Sequence, residues 1–180
     1  MSEMLKLIKE RRSVRRYLDK EVDESMLQQV LESVQWSPSW ANTQVWEIVV
    51  VKKPEIKEKL AATLGKGNPA SKAMVEAPLV LVVCGKKNSS GFYKDQVTTK
   101  FGDWMLFDLG IATQSLCLTA RSLGLGTVVV GLFDQDAAGK IVNLPDGMEL
   151  VAMVPMGHIA KDSGAPKRKE ISEFVHQDSF

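Results

Sequence analysis

Residues 108–133 read DLGIATQSLCLTARSLGLGTVVVGLF, and the stretch changes character at one glycine. From about Tyr93 to Leu123 the chain has no proline, and Phe101, Trp104, Met105, Phe107, Leu109, Ile111, Leu116 and Leu118 fall on most sides of a helix. A helix that is apolar on most sides belongs in an interior, so a long, largely buried central helix is expected. Gly124 suits the left-handed residue that ends it, and the β-branched run from Thr127 to Leu132 is expected to be a buried strand.

Working outward, Asp134 caps a helix reaching about Val142, and Leu150 to Met156 supplies another strand. Upstream, the longest apolar run, Ala77 to Cys84, is eight residues long. That is far short of the roughly 18 of a membrane span, so it reads as a buried strand entered at Pro78 and ending at Gly85. Val45 to Val51 is a further strand. Ser2 caps a first helix with Leu5 and Ile8 on one face. Asp23 starts a second, whose Leu27, Val30, Leu31 and Val34 keep helical spacing and which stops before Pro38. Pro54 opens a third helix to about Leu64, and a short one surrounds Lys72. Helices and about four strands interleave irregularly without a repeat, which indicates an α+β or mixed α/β layered fold.

At 180 residues the chain is expected to form a single domain over 1–180. Lys plus Arg is 23 against 22 for Asp plus Glu, a formal charge of +1, so no global field favours nucleic acid or an anionic membrane. Glu3, Lys6, Lys9 and Glu10 interrupt the N-terminus where a signal peptide needs an apolar stretch, which predicts a cytoplasmic protein. Cys84 and Cys117 have no C-x-x-C spacing or nearby His. Two buried, inert thiols are expected, with no metal site.

Three local patterns could carry chemistry. Arg11, Ser13 and Arg15, in a cationic stretch that also holds Arg12 and Arg16, place guanidinium forks and a hydroxyl within five residues, a set suited to a phosphate monoester. A solvated helix end or an RNA-binding patch would also use such charges, although only Tyr17 offers an aromatic beside them. The loop Ser37–Gln44 collects hydrogen-bonding groups amid Trp36, Trp40 and Trp46, which suits a planar polar ligand as well as it suits an ordinary loop. Lys167-Arg168-Lys169 is a third cationic element, in a polar tail. Gly124-Leu125-Gly126 leaves a helix and enters a strand, the reverse of a dinucleotide fingerprint.

In order along the chain, RRSVRRY at 11–17, SPSWANTQVWEIVVV at 37–51, the opening stretch at 108–133, PMGH at 155–158 and APKRKEISEF at 165–174 resemble the nitroreductase-like family of FMN-dependent oxidoreductases. The resemblance implies an α+β three-layer sandwich, with about four to five strands in a mixed, mainly antiparallel sheet flanked by helices. It also implies an intertwined homodimer, in which residues 160–180 form a C-terminal arm on the partner subunit. Arg11, Arg12, Ser13 and Arg15 would then hold the FMN phosphate and ribityl chain, with Arg168 and Lys167 reaching the phosphate from the tail. Pro38, Ser39, Trp40 and Asn42 would contact the flavin from the partner subunit, and Val130 and Gly131 would lie along the isoalloxazine with backbone groups. Lys72 and Asn68 would sit near the flavin's polar edge, where a cation stabilises the reduced ring.

No protein side chain is required as acid or base in that chemistry. In the chemistry the resemblance implies, hydride would pass from NADH or NADPH to the flavin and then to a flat acceptor such as a nitroaromatic or quinone, in ping-pong order. Two departures bear on substrate range: Val45 stands where the family commonly has proline, and Trp40 where small residues are frequent. The segment Lys86–Lys100 is also short, which predicts an open site. Alternatives left open are a flavin-storage or redox-sensing protein without significant turnover, and a flavin- and oxygen-dependent oxidase of a bound substrate.

Overall fold

The computed structural model describes residues 1–180. In chain order it places α1 (Glu3–Glu10), α2 (Glu24–Gln35), β1 (Trp46–Val51), α3 (Pro54–Ala62), α4 (Ser71–Glu76), β2 (Leu79–Lys86), β3 (Phe92–Tyr93) and β4 (Gln96–Val97). Then follow α5 (Met105–Ser122), β5 (Leu125–Thr127), α6 (Gln135–Ile141) and β6 (Met148–His158). Four strands form one antiparallel sheet in the order β1-β2-β6-β5, and β3 and β4 form a separate hairpin.

The sheet separates two apolar cores, and alternation along β2 feeds both. Leu79, Leu81 and Val83 face a core shared with Leu27, Val30 and Val34 of α2 and Leu109, Leu116 and Cys117 of α5. Val80, Val82 and Cys84 face Leu60 of α3, Met74 of α4 and Ala138 of α6. Period-two alternation with both faces covered is what an uninterrupted apolar strand requires. β6 shares this duty, and a bulge opposite Val83/Cys84 puts Leu150 in the same core as Met153 although they are three residues apart. No helix is long and apolar enough to cross a membrane.

Three expectations need correction. The helix expected from Tyr93 begins only at Met105. Lys94 and Asp95, at φ 48° and 60°, make the two-residue turn of the β3–β4 hairpin, and Asp103 Oδ1 accepts from the Met105 amide at 2.8 Å. Nor is this helix buried all round, because Leu106 and Phe107 remain 62% and 60% exposed. The strand expected over 127–132 ends at Thr127. The register that pairs Thr127 with Met156 and resumes at Val130–Met153 sets Pro155 opposite Val128, and proline has no N–H for that ladder position. Both cysteines are free and buried, as expected.

Candidate functional site

Residues 11–17 leave α1 as an extended segment laid along the sheet. The Val14 amide donates to the Thr127 carbonyl at 2.9 Å, Ser13 bridges Thr127 in parallel sense, and the Leu18 amide donates to the His158 carbonyl at 2.9 Å. The Tyr17 hydroxyl lies 2.8 Å from the Val14 carbonyl and 3.0 Å from that of Pro155. Gly126 is required beneath Val14, since a Cβ there would meet Val14 side-chain carbons at 2.7–2.8 Å. With Val14 and Tyr17 turned into the core, the alternation leaves Ser13 and Arg15 outside it.

Arg11, Arg12, Ser13, Arg15 and Arg168 line one cleft of about 420 Å³, closed on the tail side by Ser163–Pro166. Ser163 Oγ donates to the Ser13 carbonyl at 3.0 Å and ties the tail to the cleft. Arg12 is steadied by the carbonyls of Lys9 and Arg11 at 2.5 and 2.7 Å. Arg15 Nη1 reaches the Ser13 carbonyl at 3.3 Å, while its Nε is buried with no partner. Four guanidinium groups face this cleft, and Lys167 does not line it. The donor set matches an anionic, multi-oxygen group.

The loop 37–44 makes a second cleft of about 420 Å³, lined by Gln35, Trp36, Ser37, Pro38, Asn42 and Gln44. Its backbone turns through Ala41, Asn42 and Gln44 at φ 44°, 57° and 49°. Ser39 Oγ accepts from the Gln44 amide at 3.0 Å, and the Trp40 amide donates to Asp108 at 3.1 Å. Thr43 Oγ1 is buried without a partner. Arg15 Nε and Thr43 Oγ1 are the two buried side-chain polar atoms left unpaired, and one falls in each of these segments. Such groups are normally satisfied, so each is an exception within a segment the sequence singles out.

The remaining predicted residues lie along a third segment. Asn68 donates to the Leu132 carbonyl at 3.2 Å and accepts from the Ala70 amide at 2.9 Å, which brings the turn before α4 beside residues 130–132. Lys72 is exposed on the first turn of α4. The Val130 side chain is buried, and its amide and carbonyl both engage Met153 at 2.9 Å. Gly131 is exposed, and a Cβ there would meet open space, so it is the member of the pair whose backbone is accessible. Within one chain the loop of Pro38 and Asn42 and the arginine cleft share no lining residue.

Sequence reasoning missed Ser163 and the pair Ser90 and Asp108. Ser90 Oγ donates to Asp108 Oδ2 at 2.6 Å, and both residues are buried. A lone carboxylate in an otherwise apolar helix was the available signal for Asp108. For Ser163 there was none, since a serine in a polar tail is unremarkable.

A sequence model of the Nitroreductase family matches residues 8–74 and 66–158. The chain is 28% identical to an FMN reductase [NAD(P)H] of Bacillus subtilis over 191 aligned positions, covering all of this chain and 75% of that protein. It is likewise 28% identical to an NADH dehydrogenase of Thermus thermophilus, with 92% of this chain and 91% of that protein covered. The crystal structure of a nitroreductase family protein from Clostridium difficile superposes with a TM-score of 0.82 at 27% identity, over the full length of both chains.

Proposed function

The chain belongs to the nitroreductase family, and on that premise we propose that it is an FMN-dependent oxidoreductase that takes hydride from NADH or NADPH and delivers it to a flat acceptor such as a nitroaromatic or quinone. The relatives named as an FMN reductase [NAD(P)H] and an NADPH-flavin oxidoreductase support the cofactor and the donor. The observation that carries the reading is the cleft of Arg11, Arg12, Ser13, Arg15 and Arg168, with the Arg15 Nε buried and unpaired inside its chemistry. A phosphate monoester supplies acceptor oxygens for that Nε and for the guanidinium forks beside it.

When bound, FMN supplies hydride acceptance and donation at N5, the two halves of a ping-pong exchange. Everything else falls to the residues described. Arg11, Arg12, Arg15 and Arg168 would hold the phosphate, and Ser13 the adjoining chain. The Gly131 backbone and Asn68 would border the ring, and Lys72 would place a positive charge near its polar edge, where reduction adds negative charge. Pro38, Ser39, Trp40 and Asn42 would come from a second copy of the chain. A homodimer is supported by α1, which has no buried residue, by exposed Leu106 and Phe107 on α5, and by Ile171, Phe174 and Val175 in the tail. Together these leave apolar surface with nothing over it.

The test is to purify the protein without added cofactor, record its visible spectrum, and compare the chromophore released on denaturation with FMN and FAD. FMN at about one per subunit is the expected result. A colourless protein that also fails to take up added FMN would overturn the proposal. Steady-state NADH or NADPH oxidation with a quinone separates an enzyme from a flavin store: a rate no higher than that of free FMN would mean storage or sensing.

A further inference from the structure

Asp108 is a carboxylate 1% exposed within a largely apolar helix, and the chemistry above makes no use of it. Its oxygens accept from the Trp40 amide at 3.1 and 3.3 Å and from Ser90 Oγ at 2.6 Å. The Ser90 carbonyl in turn accepts from the Trp104 amide at 3.0 Å. One side chain therefore joins three segments: α5, the loop bearing Trp40, and the return that carries the chain from β2 to Trp104. A buried carboxyl persists only where donors compensate its lost hydration, and here the donors come from the two segments whose indoles meet. The Trp40 and Trp104 ring centroids are 5.2 Å apart at 44°, and Phe107 stands edge-on to Trp104 at 5.1 Å. Trp104 Nε1 donates to Thr99 Oγ1 at 2.7 Å, which fixes that ring from its far side.

Trp40 has no comparable side-chain anchor. Directly after it the backbone turns through positive φ at Ala41 and Asn42, a conformation that resists relaxation only if its ends are held. The Ser39 Oγ bond to the Gln44 amide closes the turn on itself, and the Asp108 bond to the Trp40 amide ties it to α5. Gly91, at φ 82°, lets the return segment pack close enough to reach it, because a Cβ there would strike the Gly102 carbonyl at 2.5 Å and the Trp104 ring at 2.8 Å.

We infer that Asp108 is a positioning residue whose carboxylate fixes the Trp40–Trp104 ring pair as one wall of the pocket in which the electron acceptor stacks. The inference rests on the oxidoreductase reading above. It explains how a bulky Trp40 is accommodated in the loop that the reading above gives to the flavin: the ring is packed against Trp104.

Two indoles this close couple electronically and give a paired band of opposite signs in far-ultraviolet circular dichroism, which reads ring positioning without reference to activity. The experiment compares the FMN-loaded parent with Asp108→Ala, Asp108→Asn and Trp104→Leu. Asp108→Ala is expected to lose the paired band and to raise the KM for a naphthoquinone about five- to tenfold, the scale of one lost aromatic contact, with FMN content and kcat retained. Asp108→Asn keeps an oxygen for the Trp40 amide and an NH₂ for Ser90 Oγ, and is expected to keep both the band and the KM. Trp104→Leu removes one ring with the carboxylate cluster intact; it is expected to raise the KM as Asp108→Ala does, and an unchanged KM would overturn the ring pair as a wall of the pocket even if Asp108→Ala does not fold. Persistence of the band in Asp108→Ala, or its loss with an unchanged KM, would overturn the inference. A parent protein that holds no FMN would instead overturn the reading on which it rests.

Discussion

Residues 11–17 and residues 37–44 are the two segments we assign to ligand binding, but the first is laid on the central sheet while the second is tied to α5 through side chains, the Asp108 carboxylate and the Ser37–Ser115 hydroxyl pair. The arginine segment shares its backbone bonds with Thr127 and His158 and buries Val14 and Tyr17 in the same core as β2. The side chains that hold it, Val14 and Tyr17, point away from the half-buried Arg11, Arg12, Ser13 and Arg15. The loop buries little beyond Ser37, runs through three residues at positive φ, and is held by Asp108 and Ser115 of another element. On the proposed reading, affinity for the anionic part of a ligand would thereby be separated from shaping of the space around its ring.

The sharpest way to break this contrast is Arg11→Ala combined with Arg168→Ala. Each charge-assisted bond to a phosphate is worth about 1.5–3 kcal/mol, so the pair should weaken FMN binding on the order of 10²- to 10⁴-fold. The melting temperature of the apoprotein should barely move, since both side chains line the cleft rather than the core. Equal FMN dissociation constants for parent and variant, measured by fluorescence quenching, would remove the phosphate assignment.

A smaller effect concerns the sheet on which the arginine segment rests. Burial first, and the Glu47 charge second, push the Cys84 thiol from 9.0 up to about 11. Below pH 9 the thiol is protonated in both folded and unfolded chains and its contribution is fully present. As pH rises from 9 to 11 only the unfolded chain loses the proton, so stability falls, by on the order of 2–3 kcal/mol for this group. Burial raises Cys117 and Tyr17 in the same direction, whereas the buried Lys57 amine is lowered and its cost fades as pH rises. Urea unfolding of Cys84→Ala across this range should therefore show a shallower decline than the parent, and identical slopes would contradict the assignment.

How much of this was legible depended on whether the signal was local. The cap by Ser2, the start of α6 at Asp134 with its 2.9 Å bond to Ala137, the left-handed Gly124 and the buried strand at Leu79 were all readable, because capping, turning and alternation are written within a few residues. The arginine cleft was half legible: Arg11, Ser13 and Arg15 are neighbours, but the closing wall at Ser163–Pro166 is about 150 residues away. The β3–β4 hairpin was hidden, since Lys94 and Asp95 adopt positive φ without glycine. The early end of β5 comes from Pro155 on a different strand, a constraint that register alone reveals. Asp108 stood in plain view, but its partners Trp40 and Ser90 meet it only in the folded chain.

Tyr17→Phe tests the anchoring of the arginine segment. The hydroxyl has one proton for two carbonyls, those of Val14 and Pro155, and its loss leaves buried acceptors short of a donor at a cost of about 1–2 kcal/mol. A lower urea midpoint together with faster FMN release is expected; an unchanged midpoint would mean that the backbone bonds to Thr127 suffice. The smallest effect belongs to the loop. At Ala41, φ 44°, glycine would relieve about 1 kcal/mol or more of left-handed strain but add about 0.4–1 kcal/mol of unfolded-chain entropy. Ala41→Gly should thus change stability by less than about 1 kcal/mol, while freeing the backbone next to Trp40. A much larger stabilisation would show that the loop stores more strain than its few anchors imply, whereas a near-neutral melt with a weakened Trp40–Trp104 band would show that strain and the Asp108 bond act together to hold the ring.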